Sequence, residues 1–143
     1  MSLRPQLSVR RGANGCVVNG QFLSSSLSEV IVCKVVDVIR NKETANLLDD
    51  EACAYASLKV LQGKVIPTVY GYYEVWGILR FLTLQHVGNA ISEDEQINCT
   101  LRTKLKAALQ HIHNAGFIHR DIARRNFCRM DRGDVFLVDL ESC

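Results

Sequence analysis

The residues best suited to chemistry in this 143-residue chain lie in its carboxyl-terminal quarter. Asn126 follows Asp121 by five positions, and Asp139 follows Asn126 by thirteen. Asp139 also stands directly after a short apolar run at 135–138. Carboxylate and amide oxygens are hard ligands that suit Mg²⁺, which keeps several waters and needs few protein ligands. The three residues therefore favour a site that holds a hard cation next to a proton-accepting carboxylate.

The segment that begins at His119 reads H-R-D-x-x-x-x-N, and Asp139 follows it. This pattern resembles the catalytic loop and the metal-binding aspartate of eukaryotic-type protein kinases. The resemblance implies that ATP and Mg²⁺ are cofactors and that the γ-phosphoryl group passes to a protein hydroxyl. Asp121 is then the catalytic base, and Asn126 and Asp139 are the metal ligands. Arg125, directly before Asn126, is counted with the catalytic residues.

A lysine and an acid upstream resemble a second feature of the same family. Lys34 ends the apolar run Val-Ile-Val-Cys, which is similar to the family's V-A-I-K strand. A lysine within an apolar strand is costly to bury unless it is paired. Glu51, seventeen positions further on, is the partner that the resemblance implies. Asp50 is the alternative if the register shifts by one residue.

The adenine and phosphate contacts that the resemblance implies are spread over two segments. A partial glycine-rich loop has Arg10 where the first glycine of the family is expected. Residues 84–88 resemble the segment of the family whose backbone groups bond the adenine. Backbone groups leave little trace in a sequence, so Gln85 and Val87 are assigned by position. The expected nucleotide contacts are Gly12, Gly15, Val17, Val32, Lys34, Gln85 and Val87.

The apolar patterning predicts an α+β chain. The predicted strands lie within 8–24, at 29–36, at 69–74 and 78–85 around a Trp76-Gly77 turn, and near 117–118, 127–128 and 135–138. The predicted helices span about 44–62 and 99–114. This order resembles a protein-kinase-like fold: an N-lobe antiparallel sheet with one helix (8–87), a hinge (88–90), and the first part of a C-lobe with a long helix, the catalytic loop and short strands (91–143).

The chain departs from the family after Asp139. The triplet is Asp139-Leu140-Glu141 rather than Asp-Phe-Gly, and a glutamate lacks the backbone freedom of glycine. The activation segment does not follow, so we expect a partial kinase domain over 1–143, truncated and possessing uncertain activity. Two alternatives stay open: a non-catalytic, pseudokinase-like binding module or scaffold, and a small-molecule kinase. Small-molecule kinases usually have glycine where Arg120 stands.

Composition limits the other function classes. Apolar residues make up 48% and charged residues 22%, values typical of a globular protein. A net charge of +2 gives no support to nucleic acid or a membrane surface as partner. No apolar run reaches about 18 residues, and the first residues lack the apolar core of a signal peptide. Six cysteines without a C-x-x-C indicate reduced thiols. We therefore expect an intracellular, cytoplasmic protein, whose protein substrate or partner the sequence does not identify.

Overall fold

The computed structural model describes residues 8–12, 15–24 and 27–143. These residues form two compact units. The first unit contains the described part of Met1–Asp49 together with Thr68–His86, and the second contains Asp50–Pro67 together with Val87–Cys143. The chain is α+β, with antiparallel sheets, as predicted. Residues 13–14, between the expected nucleotide contacts Gly12 and Gly15, lie outside the described residues.

The first unit contains a five-stranded antiparallel sheet in the order β1-β2-β3-β5-β4. Its strands are β1 (Ser8–Gly12), β2 (Gly15–Ser24), β3 (Leu27–Asp37), β4 (Val69–Val75) and β5 (Leu79–Gln85). The central strand β3 contains the β-branched run that predicted it, which suits a strand paired on both sides. The predicted strands of this unit are confirmed.

The β4–β5 hairpin turns at Trp76-Gly77, as predicted. Both residues have positive φ, 55° and 66°, and Ile78 N–H donates to the carbonyl oxygen of Val75 at 3.1 Å. Two-residue turns with positive φ match the twist of the flanking strands. A bulky residue is rare in this conformation, and the Trp76 side chain is 85% exposed.

The first helix, α1 (Lys42–Ser57), ends earlier than the predicted residue 62. A short 3₁₀ turn (Lys59–Leu61) follows it and keeps the apolar residues in helical spacing, which is why the sequence suggested a longer α-helix. The Gln62 side chain donates to the carbonyl oxygen of Tyr55 at 2.9 Å and so satisfies an acceptor that the helix end leaves open. Residues of α1 up to Asp49 cluster with the first unit, and those from Asp50 with the second.

The second helix, α2 (Cys99–Asn114), has the predicted bounds. The Asn98 side chain accepts a hydrogen bond from Leu101 N–H at 2.8 Å and caps the first turn. Gly116 follows the helix with φ 88°, a conformation that favours glycine. Leu101, Ala108 and Ile112 are buried, and α2 contacts the strand β8.

The second unit contains another antiparallel sheet, in the order β6-β7-β8. Its strands are β6 (Asn89–Ala90), β7 (Phe127–Arg129) and β8 (Val135–Leu137). Leu137 N–H donates to the carbonyl oxygen of Val65 at 2.8 Å and fixes β8 to the segment after α1. The strand predicted at Phe117-Ile118 is wrong: Phe117 N–H donates to the carbonyl oxygen of Ile112 at 3.1 Å, so this segment ends the helix instead of pairing with a strand.

Two further findings concern membrane-spanning helices and the cysteines. Among the described residues, no helix combines the length and the apolar character needed to cross a membrane. The cysteines with described side chains, Cys33, Cys53, Cys99, Cys128 and Cys143, are free thiols.

Candidate functional site

His119 anchors the predicted catalytic loop to the strand end that precedes Asp139. Its ring is buried, with 1% of the residue exposed. Asp121 N–H donates to Nδ1 at 3.2 Å, so Nδ1 must act as an acceptor. Nε2 therefore carries the proton that is donated to the carbonyl oxygen of Val138 at 3.0 Å. One imidazole thus fixes both the backbone of Asp121 and the residue before Asp139.

Asn126 makes a second connection between the same segments. Its Nδ2 donates to the backbone oxygen of Asp121 at 2.7 Å and to Asp121 Oδ2 at 3.0 Å. Both partners are acceptors, so the amide nitrogen has to face them, and the amide oxygen is the side-chain group that could bind a cation. Val138 N–H donates to the backbone oxygen of Asn126 at 2.8 Å. Asp121, Asn126 and Val138 are therefore held together, and Asp139 follows directly.

Arg125 contacts the Asp121 carboxylate from solvent. Its Nη2 donates to both carboxylate oxygens at 2.8 Å. The hydrogen bond from Asn126, followed by that from Arg125, lowers the pKa of Asp121 below its ordinary value. The carboxylate is thus held in its ionised form, which accepts hydrogen bonds and cannot donate them.

Asp139 has an unusual backbone conformation, with φ 63° and ψ 64°. Aspartate is among the few non-glycine residues that visit this left-handed region. Leu140, the next residue, is fully buried and begins a 3₁₀ turn (Leu140–Ser142). The left-handed residue lets the chain turn sharply, so that Leu140 packs inward at the end of β8.

The structure brings Glu51 close to Asp139. The carboxylate oxygens of Glu51, Asp139 and Glu141 lie within 4.8 Å of one another, and we call these three residues the acidic trio. Glu51 is only 1% exposed. The resemblance implies that Glu51 pairs with Lys34, whereas its closeness to Asp139 and Glu141 depends on where α1 packs and has no signal in the sequence.

Lys34 lies in the second half of β3, where it is half-buried and pairs opposite Val17 on β2 and Leu82 on β5. Lys34 belongs to the first unit and Glu51 to the second, and their pairing stays a prediction. The alternative partner, Asp50, is adjacent to Glu51 on α1 but is not part of the acidic trio.

The predicted nucleotide contacts fall on the strands of the first sheet and after it. Gly12 pairs opposite Gly15 at the β1–β2 end, and Val32 pairs opposite Leu84. Gln85 N–H already donates to the carbonyl oxygen of Thr68 at 2.9 Å, so this group is engaged within the first unit. Val87 belongs to the second unit and is buried.

Arg124 fixes the predicted catalytic loop through hydrogen bonds that the sequence did not predict. Its Nη1 donates to the backbone oxygens of Ser92, Glu93 and Glu95 at 2.9, 2.9 and 2.6 Å. Backbone acceptors have no residue-type signature, so an arginine next to Arg125 gave no sign of this role. The contact fixes the 3₁₀ turn at Arg124–Asn126 against the segment that precedes α2.

Tyr55 is the second group that the sequence did not reveal. It is fully buried, and among buried side-chain atoms in the described residues its Oη is the one without a hydrogen-bond partner. Burial, followed by the negative charges of Glu51 and Asp139, raises the pKa of Tyr55 well above its ordinary value. The phenol therefore stays protonated at neutral pH, within the electrostatic reach of Glu51 and Asp139.

Comparisons with known proteins do not add to this description. No protein-family model matches the chain, and no curated protein sequence matches it.

Proposed function

We propose that this chain has a partial protein-kinase-like fold, binds ATP with Mg²⁺, and directs Asp121 at the hydroxyl of an acceptor. The proposal is carried by one observation: Asn126 is bonded through its amide nitrogen to Asp121 and through its backbone oxygen to Val138. Asp121 and Asn126 thereby meet the strand end at Val138, twelve positions further along the chain, and Asp139 follows directly. Asp121, Asn126 and Asp139 are residues of the types that phosphoryl transfer requires.

The residues of the second unit divide the chemistry between them. Asp121, ionised because its pKa is lowered, accepts the hydrogen bond of the incoming hydroxyl and orients its oxygen. Asn126 Oδ1 and the Asp139 carboxylate are the groups that would hold Mg²⁺. When bound, Mg²⁺ neutralises the charge of the transferring phosphate. Arg125 sets the electrostatics of Asp121, and His119 keeps the loop backbone in place.

The first unit supplies the groups that the family uses to hold the nucleotide. The resemblance implies an antiparallel sheet with one helix for the N-lobe, and the first unit contains a five-stranded antiparallel sheet. Lys34 on its central strand is proposed to position the phosphates and to pair with Glu51. Gly12, Gly15 and Val17, with Val32, are proposed to lie over the nucleotide, and the backbones of Gln85 and Val87 to bond the adenine.

ATP affinity in the Lys34→Met, Asp139→Ala double variant tests the proposal. Charge-assisted contacts contribute about 1.5–3 kcal/mol each, so the double variant should bind ATP·Mg²⁺ at least about tenfold more weakly than the wild type. Lys106→Met, which removes an exposed lysine from α2, is the matched control and should bind normally. Equal affinity in the wild type and the double variant would contradict the proposed nucleotide site.

A non-catalytic binding module is the second candidate. The specific observation in its favour is Glu141, which adds a carboxylate to Asp139 and Glu51. Extra negative charge at this position opposes the approach of polyphosphate. A chain that folds but shows no ATP-dependent change in stability would support this function over phosphoryl transfer.

A further inference from the structure

The acidic trio concentrates negative charge in a place where charge is costly. All three carboxylate groups can approach within 4.8 Å of one another, and Glu51 is almost completely buried. Like charges at this distance repel one another, and burial weakens the screening by water. A protein can also stabilise clustered carboxylates with hydrogen bonds or ion pairs, so the trio by itself is not evidence that a ligand binds there.

Tyr55 supplies an independent observation. It follows Glu51 by one helical turn on α1, so both side chains lie on the same face of the helix. Its hydroxyl group is fully buried and has no partner. Buried polar groups are normally bonded, and a missing partner points to an unseen water or ion. Because Glu51 belongs to the trio, the phenol lies on the face of α1 that carries the trio's buried carboxylate.

We propose that Glu51, Asp139 and Glu141 bind one divalent cation in the absence of nucleotide, and that a water on this cation donates a hydrogen bond to Tyr55 Oη. Oxygen-only ligands select hard cations such as Ca²⁺, Mn²⁺ and Mg²⁺. Carboxylate oxygens have several lone pairs, so the cation adds to the other protein contacts of these residues.

The composition of the trio indicates which cation it suits. Three carboxylates from the protein fit Ca²⁺, which takes about six to eight oxygen ligands in a flexible geometry. Mg²⁺ keeps several waters and usually binds through only one or two carboxylates. Ca²⁺ is therefore the expected occupant.

This site differs from the metal site of the proposed function, although both use Asp139. It requires neither ATP nor Asn126, and it uses Glu141, which stands where the kinase family has glycine. The two proposals can fail separately. If the chain binds calcium but not ATP, the cation-site proposal stands and the proposed function fails. If it binds ATP·Mg²⁺ but no calcium in the absence of nucleotide, the cation-site proposal fails and the proposed function stands.

Calorimetric titration of the nucleotide-free, 143-residue chain with CaCl₂ and with MgCl₂ tests the inference. We expect one saturable Ca²⁺ site per chain and at least about tenfold weaker Mg²⁺ binding. Glu141→Gln keeps the shape of a partly exposed side chain and should weaken Ca²⁺ binding by roughly tenfold or more. Asp94→Asn, which neutralises an exposed acid of the same unit, is the matched control and should bind like the wild type.

Tyr55→Phe separates a role in cation binding from a role in packing. The substitution removes only Oη, so it should weaken Ca²⁺ binding several-fold while leaving the cation-free chain folded by circular dichroism. Three results would overturn the proposal: no saturable Ca²⁺ binding by the wild type, equal Ca²⁺ affinity in Glu141→Gln, or tighter binding of Mg²⁺ than of Ca²⁺.

Discussion

One nitrogen of the Arg125 guanidinium, Nη2, donates to both carboxylate oxygens of Asp121 at 2.8 Å. The arginine and aspartate side chains are 65% and 44% exposed, so water screens the pair and its contribution to folding is small. The main effect of the contact is on the pKa of Asp121, which it helps to lower. Asn126, which is buried, holds the same carboxylate from the protein side.

Replacing Arg125 by alanine should raise the pKa of Asp121 towards its ordinary value. The rise should be smaller than that caused by Asn126→Ala, because the hydrogen bond from Asn126 is the larger cause of the lowered pKa. Carboxyl-carbon NMR titration of the two variants measures both shifts. Arg132→Ala removes another exposed arginine and should leave Asp121 unchanged. A larger shift in Arg125→Ala than in Asn126→Ala would contradict the order of causes.

Asn126→Ala should also destabilise the chain, because it leaves the backbone oxygen of Asp121 without its donor. This hydrogen bond is partly buried, and the loss of such a bond costs about 0.5–1.5 kcal/mol. Urea denaturation gives the loss in the free energy of unfolding. The comparison is Asn114→Ala, at the exposed end of α2, for which we expect a much smaller loss. Equal losses would show that Asn126 has no special structural part in the loop.

Stability should fall at alkaline pH because of Tyr72. Its hydroxyl group donates to Asp49, which also pairs with Arg80 at 2.6 Å. Burial, and then the bond to Asp49, raise the pKa of Tyr72. A raised folded-state pKa stabilises the protein below the unfolded value of about 10, and this stabilisation is lost as pH rises through the folded-state pKa.

The free energy of unfolding of wild type and Tyr72→Phe, measured from pH 8 to pH 11, checks this prediction. The decline above pH 10 should be shallower in Tyr72→Phe. Some decline should remain, because the pKa of Tyr55 is also raised. Identical pH profiles would exclude a contribution from Tyr72.

A side chain at Gly88 should disrupt the start of the second unit's small sheet. Gly88 has φ 90°, and a Cβ there would meet the backbone oxygen of Arg129 at 2.1 Å. Gly116 has nearly the same φ, 88°, with nothing within 4 Å of such a Cβ. Gly116→Ala should therefore cost about 1–2 kcal/mol for the left-handed conformation alone. Gly88→Ala should cost clearly more by thermal denaturation, and equal costs would mean that the strand β7 can yield.

Local signals explain which elements were predicted well. The bounds of α2 follow from a side-chain cap at Asn98 and a glycine at 116, both of which are visible in the sequence. The end of α1 was misjudged because the 3₁₀ turn preserves its apolar spacing and the capping donor, Gln62, is an ordinary polar residue. Phe117 and Ile118 have strand-like side chains but no strand partner.

The candidate site was predictable where residue type determines the contact. The motif H-R-D-x-x-x-x-N and the family resemblance that it carries identified Asp121, Asn126 and Arg125, and the structure brings them together. The contacts of Arg124 were not predictable because its partners are backbone oxygens. The unpartnered hydroxyl of Tyr55 was equally hidden, since its surroundings come from residues distant in sequence.

A thermal-shift titration with ATP, with and without Mg²⁺, tests the central claim most directly. A ligand that binds only the folded chain raises its stability by about 2.7 kcal/mol at one hundred times its dissociation constant. For a chain of this size that corresponds to a midpoint shift of roughly 5–10 °C. We predict a saturable rise with ATP that depends on Mg²⁺. A cooperative transition whose midpoint is indifferent to ATP in the presence of Mg²⁺ would contradict nucleotide binding.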